Sequence, residues 1–334
     1  MLANTTARGF TRVAKRIVEE ITAIQPRERV LILSDTAANP ALVEALCVAA
    51  EWVGGDVMNV IVPWRRPLPH GYFNWGEPPK RLWNLIQESD VVIHYRIETM
   101  EMMPAVAKPE GLKTRLLYMA GDLDYLRPSV LEQSVEEMVE LGEKLMVALK
   151  RSKRVRVTTK LGSEIEGILK DPAKNAYYGA GRRARQPGGQ DYWPHGLWGF
   201  LCEEKSVHGV SILDASLHPT GVLHEPVKVT WRDGRIVDIE GGRQARQWRR
   251  WLDSLNSPDV YTHAHFGGGL SKKAQVCGHD WEDVTIYGSF LVSGGNNLIH
   301  GGTNRGHCHF DAIMTDATIY LDNELICKDG VYAL

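Results

Sequence analysis

The sequence predicts an α/β N-terminal domain followed by a strand-rich α+β C-terminal domain that binds a metal. Helices and apolar strands alternate in the first third of the chain, and the hydrophobic period changes to two after residue 150. Such alternation with near-continuous apolar strands is typical of a parallel sheet with helices on both faces. We therefore expect a scaffold domain over residues 1–150 and a catalytic domain over residues 151–334.

The first domain begins with apolar side chains at helical spacing over residues 9–25. A second helix is expected to start at Asn39-Pro40, with Asn39 as the N-cap and Pro40 in the first helical position. A third helix is expected around residues 78–88. Buried strands are expected at residues 29–33, 57–62, 90–94 and 115–119. The turn after the first strand has neither a glycine fingerprint nor a P-loop, which favours a scaffold and oligomerisation domain over a nucleotide-binding one.

The second domain follows a long amphipathic helix over residues 129–150, whose basic end suits a helix C-terminus. Period-two strands are expected at residues 155–159, 210–213, 227–231 and 319–321. The pairs Asp233-Gly234 and Asp329-Gly330 are typical of the turns that separate such strands.

Composition excludes several partners. The chain has 39 basic and 41 acidic residues and a net charge of −2, which favours neither nucleic acid nor a membrane surface. The short basic run at residues 182–185 has no nucleic-acid-binding motif beside it. Five scattered cysteines without a C-x-x-C pair indicate reduced thiols. With no signal-peptide layout and no membrane-length apolar stretch, we expect a soluble cytoplasmic protein.

The densest histidine patch is Gly306-His307-Cys308-His309-Phe310-Asp311. In a strand, His309 and Asp311 point to the same face, and His307 joins them if the strand starts early enough. A remote His265, followed by three glycines, would complete a two-His-one-carboxylate set that leaves three adjacent positions open on Fe(II). We expect these glycines to allow a tight turn and close approach of other segments. On spacing alone, a structural hydrogen-bonded His–Asp pair remains an alternative.

Several motifs resemble the 2,5-dihydroxypyridine 5,6-dioxygenase family, and the similarity covers most of residues 155–325. They lie at residues 191–196, 212–214, 234–242, 259–270, 287–291, 307–311 and 319–322. Taken position by position, the resemblance implies that His265, His309 and Asp311 bind a non-haem Fe(II). It also implies a small aromatic substrate, O₂ and a homo-oligomer, with a hexamer as one possibility.

That family is similar in fold to the aminopeptidase T (leucyl aminopeptidase) family, whose members hold two metals. Those enzymes place a glutamate where this chain has His265, and a histidine near residues 287–290, where this chain has none. The differences favour a mononuclear site. In the dioxygenases, a histidine just after the strand near residue 93 is implied to handle protons, but Met100 stands there. His94 or His195 is then the expected proton-transfer group.

The candidates for catalysis are His195, Tyr192, Glu164 and His94. His195 and the neighbouring Tyr192 could line a substrate pocket, with Tyr192 offering its hydroxyl to a ring substituent, or could be ordinary loop residues. Glu164 and Glu166 could share a strand face for acid–base work, or lie on a solvated face. His94 is the fourth candidate, through its place beside the strand near residue 93.

The leading hypothesis is an extradiol-type, Fe(II)-dependent dioxygenase that cleaves a hydroxylated heteroaromatic ring such as a dihydroxypyridine. The alternative is a Zn²⁺- or Mn²⁺-dependent hydrolase of an amide or peptide-like bond, with the same ligands around a metal-bound water. A third possibility is a non-catalytic metal- or ligand-binding protein on the same fold. An oxygenase needs O₂ and ferrous iron, whereas a hydrolase needs neither, so the two are readily distinguished.

Overall fold

The computed structural model describes residues 7–63, 79–95, 111–119, 133–193 and 196–334. Its strands, in chain order, are β1 Arg29–Asp35, β2 Asp56–Val62, β3 Val91–Tyr95, β4 Arg115–Met119, β5 Arg154–Thr158, β6 Glu164–Ile168, β7 Tyr177–Gly179, β8 Gln190–Trp193, β9 Leu197–Phe200, β10 His208–Leu213, β11 Ser216–Leu217, β12 Gly221–Val222, β13 Val227–Arg232, β14 Arg235–Glu240, β15 His263–Gly269, β16 Phe290–Gly295, β17 His309–Met314, β18 Thr318–Leu321, β19 Glu324–Lys328 and β20 Val331–Tyr332. Its α-helices are α1 Ala7–Arg16, α2 Pro40–Trp52, α3 Lys80–Glu88, α4 Val135–Arg151, α5 Pro172–Asn175, α6 Arg243–Ser254 and α7 Asp280–Asp283. A π-helical turn spans Ile17–Ile21, and 3₁₀ turns span Arg183–Arg185, Pro258–Tyr261 and Leu298–His300.

These residues form two compact units. The first contains the described residues up to 119 together with 179–193, and the second contains 133–178 and 196–334. The division differs from the predicted boundary after residue 150, for two reasons. Helix α4 belongs to the second unit, where its Arg151 forms a salt bridge to Glu324. Strand β8 returns to the first unit because it pairs in parallel with β4, with Leu116 opposite Gln190.

The first unit contains a five-stranded parallel sheet in the order β2-β1-β3-β4-β8. The predicted parallel α/β sheet is therefore confirmed. Alternate strand residues such as Leu31, Leu33 and Val92 pack against Leu82 and Ile86 of helix α3. Burying such side chains contributes roughly 1.5–3 kcal/mol each, so this cluster stabilises the packing of α3 on the sheet.

The second unit is strand-rich, as predicted. One sheet has eight strands in the order β14-β13-β10-β6-β5-β18-β19-β20, and the other has seven in the order β12-β11-β17-β16-β15-β9-β7. The predicted turn pairs connect hairpins: Asp233 and Gly234 have φ of 50° and 70° between β13 and β14, and Asp329 and Gly330 have 48° and 79° between β19 and β20. Asp and Gly tolerate this left-handed backbone better than other residues do.

Helix boundaries follow the predicted signals at α2, where the Asn39 side chain accepts hydrogen bonds from the backbone N–H groups of Ala41 and Leu42. The predicted helix over residues 9–25 is shorter, because α1 continues only into one π turn. There the Thr22 hydroxyl donates to the Ile17 carbonyl, which helps to end the helix. Helix α4 starts at Val135, and residues 129–132 of its predicted range lie outside the described residues.

None of the helices that the structure describes has both the length and the apolar character needed to cross a bilayer. The five cysteines are all free thiols.

Candidate metal centre

Three adjacent strands of the seven-stranded sheet bring the predicted ligands together. His265 lies on β15, whereas His309 and Asp311 lie on β17, two residues apart and on the same face. Strand β16 runs between them and places Ser293 opposite Asp311 and Gly295 opposite His309. Because these two residues are small, side chains from the outer strands can meet above the middle strand.

The ligand atoms form a compact triangle. His265 Nε2 lies 3.4 Å from His309 Nε2, and Asp311 Oδ1 lies 3.6 Å and 3.5 Å from these two nitrogens. The centre of such a triangle is about 2.0 Å from each corner, close to usual metal–ligand bond lengths. All three side chains are buried. The donor set therefore fits a single divalent ion.

Hydrogen bonds on the outer side of each ligand hold this orientation. His309 Nδ1 lies 2.6 Å from the carbonyl oxygen of Asn296, and His265 Nδ1 lies 3.3 Å from that of Phe266. With the proton on Nδ1, each histidine presents the Nε2 lone pair to the centre. Asp311 Oδ1 accepts a short hydrogen bond from the Ser293 hydroxyl. Outer partners of this kind are the usual support of metal ligands.

The electrostatics of the triangle also suit a cation. Burial lowers the pKa of His265 to about 4, so this imidazole is neutral at pH 7. Burial opposes ionisation of Asp311, but the charge and hydrogen bond of His309 hold the pKa of that carboxyl well below its usual range. Burial also lowers the pKa of His309. The charge of Asp311 outweighs burial, so the pKa of His309 is above its usual value. A buried carboxylate needs a positive partner, which protonated His309 supplies when no ion is bound and which a metal cation would supply in place of that proton.

The glycines after His265 do not form the predicted tight turn. Residues 267–269 continue strand β15, so that part of the prediction is wrong. The expected close approach is confirmed: a Cβ on Gly267 would lie 2.4 Å from the Trp198 carbonyl oxygen, and one on Gly268 would lie 2.6 Å from that of Ser289. Here glycine provides space for neighbouring backbone, and the strand remains extended.

Two other histidines of these motifs do not join the triangle. Strand β17 begins at His309, so His307 lies before it, exposed, with Nδ1 3.1 Å from the Leu255 carbonyl oxygen. His263 is buried edge-on against Phe266 at 4.3 Å and Trp231 at 6.0 Å. Burial lowers its pKa to about 3, as expected for a neutral histidine in apolar surroundings.

His94 and Tyr192 lie in the first unit, in one row across its sheet. His94 is opposite Tyr118, which is opposite Tyr192, and each neighbouring pair of ring centroids is 5.5 Å apart. Burial raises the pKa of Tyr192 to about 12. The predicted catalytic roles of His94 and Tyr192 stay predictions.

Glu164 lies at the start of β6, where its carboxylate forms a salt bridge of 2.8 Å to Arg156 on the exposed face of the strand. This contact matches the plainer alternative of a solvated strand face. The predicted acid–base role of Glu164 stays a prediction. His195 and Met100 lie outside the described residues.

The structure adds three residues that sequence reasoning missed. His300 directly precedes the glycine-containing segment at residues 301–306, and one of its nitrogens lies within 4.8 Å of a nitrogen of His265 and of a nitrogen of His309. The Tyr177 hydroxyl lies 3.3 Å from His265 Nδ1. Burial, with the charges of Asp311 and Asp283, raises the pKa of Asp280 well above its usual range. In the sequence, the position of His300 beside two glycines could have indicated a functional loop, whereas no sequence feature marked Tyr177.

Comparison with known proteins gives a consistent result. The family model described as 2,5-dihydroxypyridine 5,6-dioxygenase matches residues 12–333. A Pseudomonas putida protein named 2,5-dihydroxypyridine 5,6-dioxygenase is 26% identical over 335 residues, covering 94% of this chain and 93% of its own.

Two solved structures share the fold. The 2,5-dihydroxypyridine dioxygenase of Pseudomonas putida KT2440 superposes with a TM-score of 0.82 at 23% identity, covering 98% of each chain. AmpT from Thermus thermophilus superposes with a TM-score of 0.66 at 12% identity, covering 98% of this chain and 99% of its own. The expected similarity to the aminopeptidase T fold is thus confirmed. The match to the family model over nearly the whole chain shows that this protein belongs to the 2,5-dihydroxypyridine 5,6-dioxygenase family, a family of ring-cleaving dioxygenases.

Proposed function

We propose that the protein is a mononuclear, Fe(II)-dependent, extradiol-type dioxygenase that cleaves a hydroxylated heteroaromatic ring such as 2,5-dihydroxypyridine. The observation that carries this proposal is the buried triangle of His265 Nε2, His309 Nε2 and Asp311 Oδ1, with edges of 3.4–3.6 Å. Two histidines and one carboxylate with open positions form the donor set of non-haem Fe(II) oxygenases. Family membership supports the reaction class, and the donor set supports the metal.

Ferrous iron held by His265, His309 and Asp311 would supply adjacent open positions for a hydroxylated ring and O₂. The protein's own contribution is orientation. The Asn296 and Phe266 carbonyl groups fix the rings of His309 and His265, and the Ser293 hydroxyl fixes Asp311. Holding two reactants in register removes much of the entropy cost of their meeting.

The reaction also needs a group that takes a proton from the ring hydroxyl. We propose His195 or His94 for this role, as the sequence motifs suggested, with Tyr192 and Glu164 as further candidates. Both oxygen atoms of O₂ enter the product of a dioxygenase, so the cleavage itself needs no external reductant. We also place the protein in the cytoplasm, since its five free cysteines suit a reducing compartment.

The test is oxygen uptake by anaerobically purified protein reloaded with Fe(II), against a panel of dihydroxypyridines and hydroxylated aromatic acids. We expect stoichiometric uptake with loss of the ring absorbance for at least one dihydroxypyridine. Protein that retains iron, consumes no oxygen and hydrolyses an amide substrate with Zn²⁺ or Mn²⁺ would overturn the proposal in favour of the hydrolase. Bound metal without turnover of any ring or amide would favour a non-catalytic binding protein.

A further inference from the structure

His300 lies directly beside the two ligand histidines. Its ring centroid is 4.0 Å from that of His265 and 5.7 Å from that of His309. One nitrogen from each of the three rings lies within 4.8 Å of the other two. Two ligand atoms of one ion with usual bond lengths are at most about 4.2 Å apart, so the three nitrogens lie close to the range that a single ion would span.

The loop that carries His300 is attached to both ligand strands. The Asn296 carbonyl accepts the hydrogen bond from His309 Nδ1 on β17. The Asn297 side chain donates to the Ala264 carbonyl on β15 at 3.3 Å and accepts from the Asn304 N–H at 2.8 Å. These hydrogen bonds hold the 3₁₀ turn that ends in His300 next to the triangle. The position of His300 is therefore fixed by the same strands that carry the ligands.

Tyr177 connects His300 with His265. Its ring stacks on His300 with centroids 5.1 Å apart and an interplanar angle of 16°, while its hydroxyl lies 3.3 Å from His265 Nδ1. The neighbouring strand β9 leaves room for it, since a Cβ on Gly199 would lie 2.5 Å from the Tyr177 hydroxyl oxygen. One aromatic side chain thus orients both imidazoles.

We propose that His300 is a fourth protein ligand in the substrate-free enzyme, so that three histidines and one aspartate hold the ion. The inference rests on the proposed metal site of His265, His309 and Asp311. A six-coordinate ion with four protein ligands has two open positions, whereas a bidentate ring and O₂ need three. His300 would therefore have to leave the ion when a bidentate substrate binds, so that the third open position is present only together with substrate.

The experiment counts imidazole ligands by pulsed EPR on protein loaded with Cu²⁺, in the wild type and in His300→Ala. His307→Ala is the matched control, because His307 is in the same loop region but is exposed and directed at the Leu255 carbonyl oxygen. We expect three imidazoles in the wild type and in the control, and two in His300→Ala. The copper affinity of His300→Ala should fall by at least about 10-fold. Loss of a group that only supports a ligand already costs roughly 10- to 100-fold. An unchanged imidazole count in His300→Ala would overturn the proposal.

A second measurement tests displacement with picolinate, a bidentate pyridine that is not oxidised by Cu²⁺. We expect picolinate to lower the wild-type count from three imidazoles to two and to leave His300→Ala at two. A wild-type count that stays at three contradicts displacement.

Two more variants distinguish a folding defect, an error in the His300 proposal and an error in the underlying metal site. His300→Phe keeps an aromatic ring against Tyr177, so agreement between it and His300→Ala excludes a folding defect as the cause. His309→Ala tests the underlying site. If His309→Ala loses copper while His300→Ala has the wild-type spectrum, His300 is not a ligand and the proposed function stands. If His309→Ala binds copper as the wild type does, the proposed metal site itself is wrong.

Discussion

At the scale of single residues, the metal site depends on atoms that do not touch the ion. The Nδ1 atoms of His309 and His265 face backbone carbonyl oxygens, and Asp311 accepts from Ser293. Each contact selects one tautomer or one carboxylate orientation, and thereby reduces the freedom that metal binding would otherwise have to remove. We therefore expect substitutions one layer outside the triangle to affect metal affinity.

Replacing His309 by alanine should abolish iron retention and oxygen uptake while the fold remains intact. The variant lacks one corner of the triangle, whereas the backbone pairing of β16 with β17 does not depend on the imidazole. Metal analysis after gel filtration, together with circular dichroism, measures both effects. Tight iron binding in this variant would contradict the ligand assignment.

Replacing Ser293 by alanine should weaken metal binding by about 10- to 100-fold, because Asp311 loses its hydroxyl donor. A Co²⁺ titration followed by visible absorption measures the change. Ser254→Ala is a suitable control, since the Ser254 hydroxyl donates to the Trp251 carbonyl on an exposed helix end. Equal affinities in the two variants would show that the Ser293 hydrogen bond does not support the site.

At the scale of elements, strand β15 carries both His265 and the glycines that let the neighbouring strands pack closely against it. Three successive glycines let neighbouring backbone lie close on both sides of the strand. Strands usually disfavour glycine, so its presence here marks a packing requirement. The parallel sheet of the first unit has a different feature, the row of buried His94, buried Tyr118 and partly buried Tyr192.

Gly268→Ala should lower the free energy of unfolding by about 1–3 kcal/mol, the usual cost of overpacking a core. The added Cβ would lie 2.6 Å from the Ser289 carbonyl oxygen and 3.0 Å from Trp198 Nε1, so β15 must shift. Urea unfolding measures the loss, and weaker Co²⁺ binding should accompany it because His265 moves with the strand. Unchanged stability would mean that the sheet accommodates the methyl group without strain.

Tyr192 should make the protein less stable in alkali. Its pKa is about 12 in the folded state, because of burial, against an ordinary value of 10.0. Between these values the unfolded chain has lost the phenolic proton and the folded chain retains it, so stability falls as pH rises, by about 1.4 kcal/mol per pH unit. Urea unfolding at about pH 9 and about pH 11 should show a smaller loss for Tyr192→Phe than for the wild type. Equal losses would contradict the assigned burial effect.

At the scale of the whole molecule, the expected homo-oligomer stays a prediction. Helix α2 and strand β2 of the first unit expose large apolar side chains, and Trp52 is 86% exposed. We expect light scattering to give a mass that is a multiple of the chain mass. Exchanging Trp52 and Met58 for serine should lower the measured mass, because these exposed side chains are the expected subunit contacts. A monomer in the wild type would contradict the prediction.

Much of the fold and part of the site could be predicted because the signals were local. The Asn39-Pro40 helix start, the Asp-Gly hairpin turns and the shared face of His309 and Asp311 each depend on residues within a few positions of each other. Backbone periodicity and turn stereochemistry act over that range. The family motifs then added His265 to the pair.

The sequence by itself determined the two kinds of sheet, the His309–Asp311 pair and, through its motifs, the family. Only the tertiary structure decided how the ligands meet. His265 and His309 are 44 residues apart, and their 3.4 Å contact depends on β16 lying between them with small residues facing the site. The return of β8 to the first sheet and the position of Tyr177 and His300 beside the triangle were likewise decided by strand order. Strand order and packing bring residues together that are distant in the sequence, and the sequence pattern around each residue does not predict such contacts.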